Sequence, residues 1–405
     1  MTVTPPALTD PTVRVALSRP LPVRLEAELG KRIHFISPDV RDFAFVRGDE
    51  GVEALELTLV PDPTDTVADL TDKINRVVER EVRVQRSWRP KVLWTSARRG
   101  ERWPDPLPEM VRAGLVHAPG PGTMTFGDLM IRLVDHLDRQ VRAIALGMPD
   151  STEYRYPTLL PLEVLERQHY FESFPHFVMF VSRLHNDADN YETFLRRYRE
   201  AGRRITPEIF SLCRDDRYCL PPTMCYHTFN QLAGTSVEQR VVTSRGKSFR
   251  FESRYESGLD RLWDFTIRET VFLGPEEYVV ESRRRFLEAA FALVDQLGLA
   301  ARCEVANDHF FGDASKDSVL SQRLMELKYE LVADVADGRS IAVGSFNLHG
   351  SHFGEVFDIT RAGAGGPGHT GCVGFGLERL AYAFVTQHGF EPRNWPEAVR
   401  VGVAQ

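Results

Sequence analysis

The sequence predicts an α+β fold, an antiparallel sheet flanked by helices, with a small N-terminal α+β domain ahead of it. Three observations carry that expectation. From about residue 218 the chain offers one short alternating run of apolar and polar residues after another, the period-two pattern of half-buried strands. Helical patterns flank these runs, which suggests consecutive antiparallel strands with helices packed on them. Ala118-Pro119-Gly120-Pro121-Gly122 marks a linker, dividing the 405 residues into an N-terminal extension, 1–118, and a main domain, 119–405.

Residues 1–30 begin Pro- and Thr-rich and then become a short charged segment. Ile33 and Phe35, then Phe43 and Phe45, alternate with polar neighbours as strands do. Arg47-Gly48-Asp49-Glu50-Gly51 reads as a turn, and Leu55, Leu57 and Leu59 as a further strand. Val67, Leu70, Ile74, Val77 and Val78 fall at helical spacing behind Asp65 or Thr66, either of which can cap the first turn. Basic residues crowd the stretch from Arg83 to Arg102, which reads either as a solvated linker or as a contact surface for an acidic partner. The spacing predicts a helix over 125–146, capped by Thr125, with Phe126, Leu129, Met130, Leu133, Leu137 and Val141 on one face and Gly147 and Pro149 as its stop. Residues 154–161 read as a strand whose prolines favour an edge or an interface. Alternating runs follow at 224–230, 238–243, 248–254 and 261–273. A helix is expected over 275–297, with Phe286, Leu287, Ala290, Leu293 and Val294 inward. Strands are expected at 301–306, 327–334, 340–347 and 353–359, then a Gly-rich loop at 362–368 and a closing helix at 374–388.

Composition narrows the function classes. A formal charge of −7 excludes a generally basic nucleic-acid coat, leaving room only for a local patch. Five scattered cysteines are too few for a disulfide scaffold and read as reduced thiols, some of them candidate ligands. Met1 to Asp10 lacks the pattern of a signal peptide. No run approaches the roughly 18 apolar residues of a membrane span. A cytoplasmic location without membrane contact is the expectation.

The chemistry concentrates in two segments. In Phe249-Arg250-Phe251-Glu252 and Leu262-Trp263-Asp264-Phe265-Thr266-Ile267-Arg268-Glu269, period-two alternation puts Arg250 and Glu252 on one face, and Phe265, Ile267 and Glu269 on one face. An arginine, a carboxylate and an aromatic ring together can hold a nucleotide, although an exposed face laced with salt bridges has the same pattern. In Gly374-Phe375-Gly376-Leu377-Glu378-Arg379 a strand reaches a Gly-x-Gly corner and a helix starts, placing Arg379 in a first turn that favours anions. There is no Walker loop and no Rossmann fingerprint.

These two segments resemble motifs 2 and 3 of class II aminoacyl-tRNA synthetases, and the helix at 125–146 leading to Pro157-Thr158-Leu159-Leu160-Pro161 resembles their motif 1, which builds the dimer interface. The resemblance covers about residues 120–400. Within class II it is closest to seryl-tRNA synthetases of the methanogenic type, which bind zinc through two Cys and one Glu. It is closer still to their relatives, the amino acid:[carrier protein] ligases. It implies Cys225, Glu269 and Cys372, 44 and 103 positions apart, as zinc ligands. It also implies Asn307, Asp308, Ser345, Asn347 and Glu269 as substrate-binding residues. Ile341 or Ala342 stands where ordinary seryl enzymes carry a magnesium-holding Glu, with Glu330 a possible replacement. His349, His352 and Glu355 read as loop residues rather than as a second metal cluster.

The implied reaction is ATP-dependent activation of a small amino acid, with Mg2+ and Zn2+, and transfer to the phosphopantetheine thiol of a carrier protein. Arg250 and Arg379 would grip the phosphates, and Glu252 and Phe265 the adenine. A homodimer is expected and tRNA is not, since residues 1–120 sustain no heptads for a coiled-coil arm. Charging of tRNA and a catalytically silent regulatory paralogue are the alternatives.

Overall fold

The computed structural model describes residues 10–83, 90–98, 100–252, 258–306, 325–363 and 365–404. The first segment folds as β1 (Thr12–Leu21), α1 (Glu26–Ile36), β2 (Val40–Gly48), β3 (Gly51–Leu59) and α2 (Val67–Val77), with strand order β1-β3-β2. Thr66 caps α2 as expected: its hydroxyl accepts from the Asp69 N–H while Asp69 accepts from the Thr66 N–H. Ile33 and Phe35 lie in α1, not in a strand. Leu25, Leu29 and Ile33 are buried at four-residue spacing, as a helix requires, whereas Phe35 is 39% exposed and points away from this core. The i, i+2 alternation came from two faces of one helix.

The N-terminal core ends at Val82, earlier than the expected boundary at 118. Val92–Thr95 (β4) is instead the outer strand of the main sheet, and Met110 and Val116 belong to the main core. The linker glycine Gly122 has φ +66°, and its carbonyl accepts from the Trp263 N–H at 2.7 Å. A Cβ there would stand 2.1 Å from the Trp263 ring, so only glycine fits this approach. Next come α3 (Asp128–Leu146), β5 (Ser151–Tyr154) and α4 (Cys225–Gln231). Gly127, not Thr125, is the N-cap of α3; Thr125 and Phe126 pair with Val116 and His117 in a short ladder. The expected strand at 154–161 divides into β5 and Leu160–Pro161, which joins Met179–Leu184 and Cys213–Leu220 in a separate small sheet.

The remaining elements are β6 (Arg240–Phe249), β7 (Asp264–Gly274), α5 (Glu276–Gln296), β8 (Ala301–Val305), β9 (Lys328–Asp334), β10 (Ser340–Gly350), α6 (His352–Val356), β11 (His369–Gly376) and α7 (Leu377–His388). The described residues form an eight-stranded sheet in the order β4-β8-β9-β10-β11-β7-β6-β5, antiparallel throughout except for the outer β5–β6 pair. Val241, Phe272, Phe346 and Val373 pack with α3, α5 and α7 on one face, while Val242, Val271 and Cys372 face the opposite side with α4 and α6. Neighbouring residues thus divide between the two faces, as strand geometry demands. The runs at 224–230 and 353–359, expected as strands, hold α4 and α6 instead. No helix among the described residues is long and apolar enough to cross a membrane.

Candidate metal centre and nucleotide site

Three residues far apart in sequence meet on the face opposite the large helices. Glu269 comes from β7 and Cys372 from β11, and Cys225 opens α4 beside them. Their ligating atoms all lie within 4.8 Å of one another, and all three are buried. The register pairs Glu269 with Gly374 and Val271 with Cys372, which fixes both side chains on the same face. A Cβ on Gly374 would stand 2.9 Å from the Ile267 Cδ1, so glycine keeps the surface beside Glu269 open. One Glu269 oxygen accepts from the Thr223 hydroxyl (2.6 Å) and from the N–H groups of Met224 (2.9 Å) and Cys225 (3.1 Å). The Cys372 sulfur accepts from the Asn347 amide at 3.4 Å and faces the His349 Nε2 at 3.5 Å; the other ring nitrogen of His349 is 3.0 Å from the Thr370 hydroxyl.

The electrostatics follow from crowding acids in a dry pocket. Burial, reinforced by Cys372, pushes Glu269 up to about 8. Burial also pushes the Cys225 thiol up, while hydrogen bonding from Cys225, with help from His349 and Asn347, holds Cys372 down against its own burial. Three such groups do not ionise together without a cation among them. Two thiolates and a carboxylate suit zinc and leave one tetrahedral position open, so the donor set fits the ion that the resemblance implies.

A second cluster lies at the end of the β6–β7 ladder. Arg250 N–H still bonds across to the Trp263 carbonyl at 3.0 Å, but the Phe251 N–H turns to the Phe177 carbonyl at 3.1 Å, so β6 stops before the expected 254. The Arg250 guanidinium donates to the Pro222 carbonyl at 2.9 Å and lies over the Phe265 ring, 5.7 Å from its centroid. Glu252 accepts from Arg261 at 2.9 Å, and Arg379 reaches it at 3.7 Å while donating to the Asp260 carbonyl at 2.8 Å. Burial lowers the Arg379 pKa; Glu252 opposes that shift, and the positive charges of Arg261 and Arg250 add to it. Three guanidinium groups therefore gather around the carboxylates of Glu252 and Asp260, the latter also paired with Arg339 at 2.8 Å, leaving an excess of positive charge suited to an anion with several oxygens.

Ser345 and Asn347 lie on β10 beside β11, paired with Gly374 and Cys372, and so share the face of the metal cluster. Asn307 and Asp308 lie outside the described residues. Glu330 pairs with Lys328 at 3.1 Å. His352 and Glu355 join no metal-ligand group among the described residues. Sequence reasoning missed Thr223, which holds Glu269, and Arg261, four residues before Phe265. It treated His349 as a loop residue, yet β10 carries it to Cys372. Nothing in the local pattern marks these three, because each acts through a partner in another segment.

No family model matches the chain. An amino acid–[acyl-carrier-protein] ligase 2 of Bradyrhizobium diazoefficiens is 34% identical over 314 residues, covering 74% of this chain and 89% of that protein. A type-2 serine–tRNA ligase of Methanococcus aeolicus is 29% identical over 306 residues, covering 73% of this chain but 58% of its own length. In solved structures, M. kandleri SerRS in complex with A. aeolicus tRNASec superposes with a TM-score of 0.68 at 24% identity, over 97% of this chain and 77% of that one. The shared fold is that of class II synthetases.

Proposed function

The chain belongs to the family of class II synthetase-like ligases that holds the amino acid–[acyl-carrier-protein] ligases and the type-2 serine–tRNA ligases, and from that premise we propose that it activates a small amino acid with ATP and passes it to the phosphopantetheine thiol of a carrier protein. The observation that carries this reading is the meeting of Cys225, Glu269 and Cys372 on the sheet face that also presents Ser345 and Asn347.

In the first step a carboxylate oxygen of the amino acid attacks the α-phosphorus of ATP. The bond to the bridging oxygen breaks, and pyrophosphate leaves with that electron pair. Arg250, held by Pro222 and the Phe265 ring, neutralises the α-phosphate as charge builds on it. Arg379 holds the γ-phosphate, and Glu252 and Phe265 fix the adenine. Magnesium accompanies the triphosphate. Positioning and electrostatics supply most of the rate, because little proton transfer is needed. Cys225, Glu269 and Cys372 hold zinc, which when bound supplies an anchor for the free amine of the substrate. Ser345, Asn347, Asn307 and Asp308 line the amino-acid side, and the limited room beside a directly held amine favours glycine, alanine or serine. In the second step the carrier thiolate attacks the activated carbonyl, AMP leaves, and a thioester forms. The working unit is a cytoplasmic homodimer joined through α3.

The coverage of the carrier-protein ligase, 89% of its length against 58% of the serine–tRNA ligase, supports the thiol as acceptor. Charging of tRNA is the second reading, favoured by the likeness over 97% of this chain to a synthetase solved with tRNA. Incubation with labelled amino acid, ATP and either holo-carrier protein or tRNA separates them. A labelled thioester on the carrier supports the proposal, and label on tRNA alone refutes it. Absence of amino-acid-dependent ATP–pyrophosphate exchange would leave a silent paralogue.

A further inference from the structure

Phe35 is the ring that α1 turns away from its own core, 39% exposed near the end of the helix. It stands edge-on to two rings of the main domain, 5.0 Å from His176 and 6.1 Å from Phe177 between centroids. Those residues belong to a single helical turn, Pro175–Phe177. Phe177 is tied twice to the segment that carries Arg250 and Glu252: its carbonyl accepts the Phe251 N–H at 3.1 Å, and its ring lies under the Arg250 guanidinium, 6.0 Å from the charge. The Arg250 side chain is thus bounded by the rings of Phe177 and Phe265 and by the Pro222 carbonyl. His176 sits between the units. Burial and the charge of Arg32 on α1 push it down to about 4, and Glu252 on the other side opposes them.

We propose that the N-terminal unit is a positioning element for nucleotide activation, in which Phe35 backs the His176–Phe177 turn and thereby holds the Arg250 guanidinium ready for the α-phosphate. This rests on the phosphate-binding role proposed above for Arg250. Phe35 and Phe177 touch no substrate in it; they act through the arginine. A guanidinium on a long side chain has many rotamers, and rings on two sides reduce the entropy lost when it closes on an anion. The contact at Phe35 therefore reaches the Arg250 guanidinium through the ring of Phe177.

Phe35→Ala and Phe35→Tyr are compared with the wild-type chain by calorimetric titration with Mg·ATP and by amino-acid-dependent ATP–pyrophosphate exchange. Phe35→Ala weakens ATP binding and raises the KM for ATP by roughly fivefold, the scale of one lost aromatic or cation–π contact. It leaves the KM for the amino acid and the bound metal content unchanged, and Phe35→Tyr restores the ATP values. Unchanged ATP affinity in Phe35→Ala overturns the inference, and so does an equal loss for ATP and amino acid, which would mean general loosening. If Phe35→Ala fails to fold, Phe35→Leu, which keeps apolar bulk but removes the ring, is read by the same criteria. A wild-type chain that binds ATP without any exchange sinks the proposed reaction, while the calorimetry still decides the role of Phe35.

Discussion

At the residue scale, the Cys225–Glu269–Cys372 cluster proposed to hold zinc was singled out in the sequence only through its resemblance. Cys225, Glu269 and Cys372 have no local spacing that a zinc site requires, yet β7, β11 and the start of α4 bring their ligating atoms within 4.8 Å. Cys225→Ala or Cys372→Ala removes one of the three proposed ligands. We expect either to abolish bound zinc and amino-acid activation together, checked by elemental analysis and pyrophosphate exchange; full activity without metal would refute the assignment. The same site makes a pH prediction. Glu269 titrates near 8 in the folded, metal-free site against 4.5 as its ordinary value, so the folded state keeps a proton that the unfolded chain releases between those values. The contribution of Glu269 to the stability of the metal-free protein therefore falls as pH rises from about 4.5 towards about 8, while the depressed Cys372 thiol contributes in the opposite sense. Metal binding must expel that proton, so added zinc raises the melting temperature more at pH 8 than at pH 6. Melting curves with and without chelator at the two values test this, and a zinc effect independent of pH would count against it.

At the scale of elements, the strands were legible from their β-rich alternating runs, and the long helices α3 and α5 because each buries one face and exposes the other. The short helices were not. In α4, Cys225, Tyr226, His227, Thr228 and Phe229 are all buried, so no polar face reveals a 3.6-residue period. In α6 and its C-cap, Phe353 and Phe357 are one turn apart, but the run is too short for that spacing to outweigh alternation. What joins the elements around the site was equally silent in the sequence. Arg268 on β7, 2% exposed, donates to both oxygens of Asp138 on α3 at 2.7 and 2.8 Å, and to Glu153 on β5 at 2.7 Å. The pair clamps α3 to the strand that carries Glu269. Asp138→Ala leaves a buried guanidinium short of a partner and should cost about 3–5 kcal/mol. Urea denaturation measures it. A loss below about 1 kcal/mol would show that Glu153 alone satisfies Arg268.

At the scale of the whole molecule, the chain has a small N-terminal core, from Val15 to Val82, and a separate larger packing around the eight-stranded sheet. The Pro/Gly run at 118–122 suggested a later division, because a linker signal was read as a boundary where the chain in fact packs Gly122 against Trp263. Small cores bury a smaller share of their surface and are less stable, and the two units touch at Phe35 through a few rings. Unfolding should therefore not be two-state. The sequence supplies its own probes: all five tryptophans, Trp88, Trp94, Trp103, Trp263 and Trp395, lie beyond residue 83. Four of them, Trp94, Trp103, Trp263 and Trp395, lie among the described residues of the main domain, so tryptophan fluorescence reports chiefly on it, while far-UV circular dichroism sees helices and strands of both. On heating, the dichroism should begin to fall before the fluorescence changes. Phe35→Ala should widen the gap between the two curves by removing the contact through which the larger unit supports the smaller. Coincident curves in the wild-type chain would mean that the junction is strong enough to make the units melt as one, and the thin-contact picture on which this expectation rests would have to be given up.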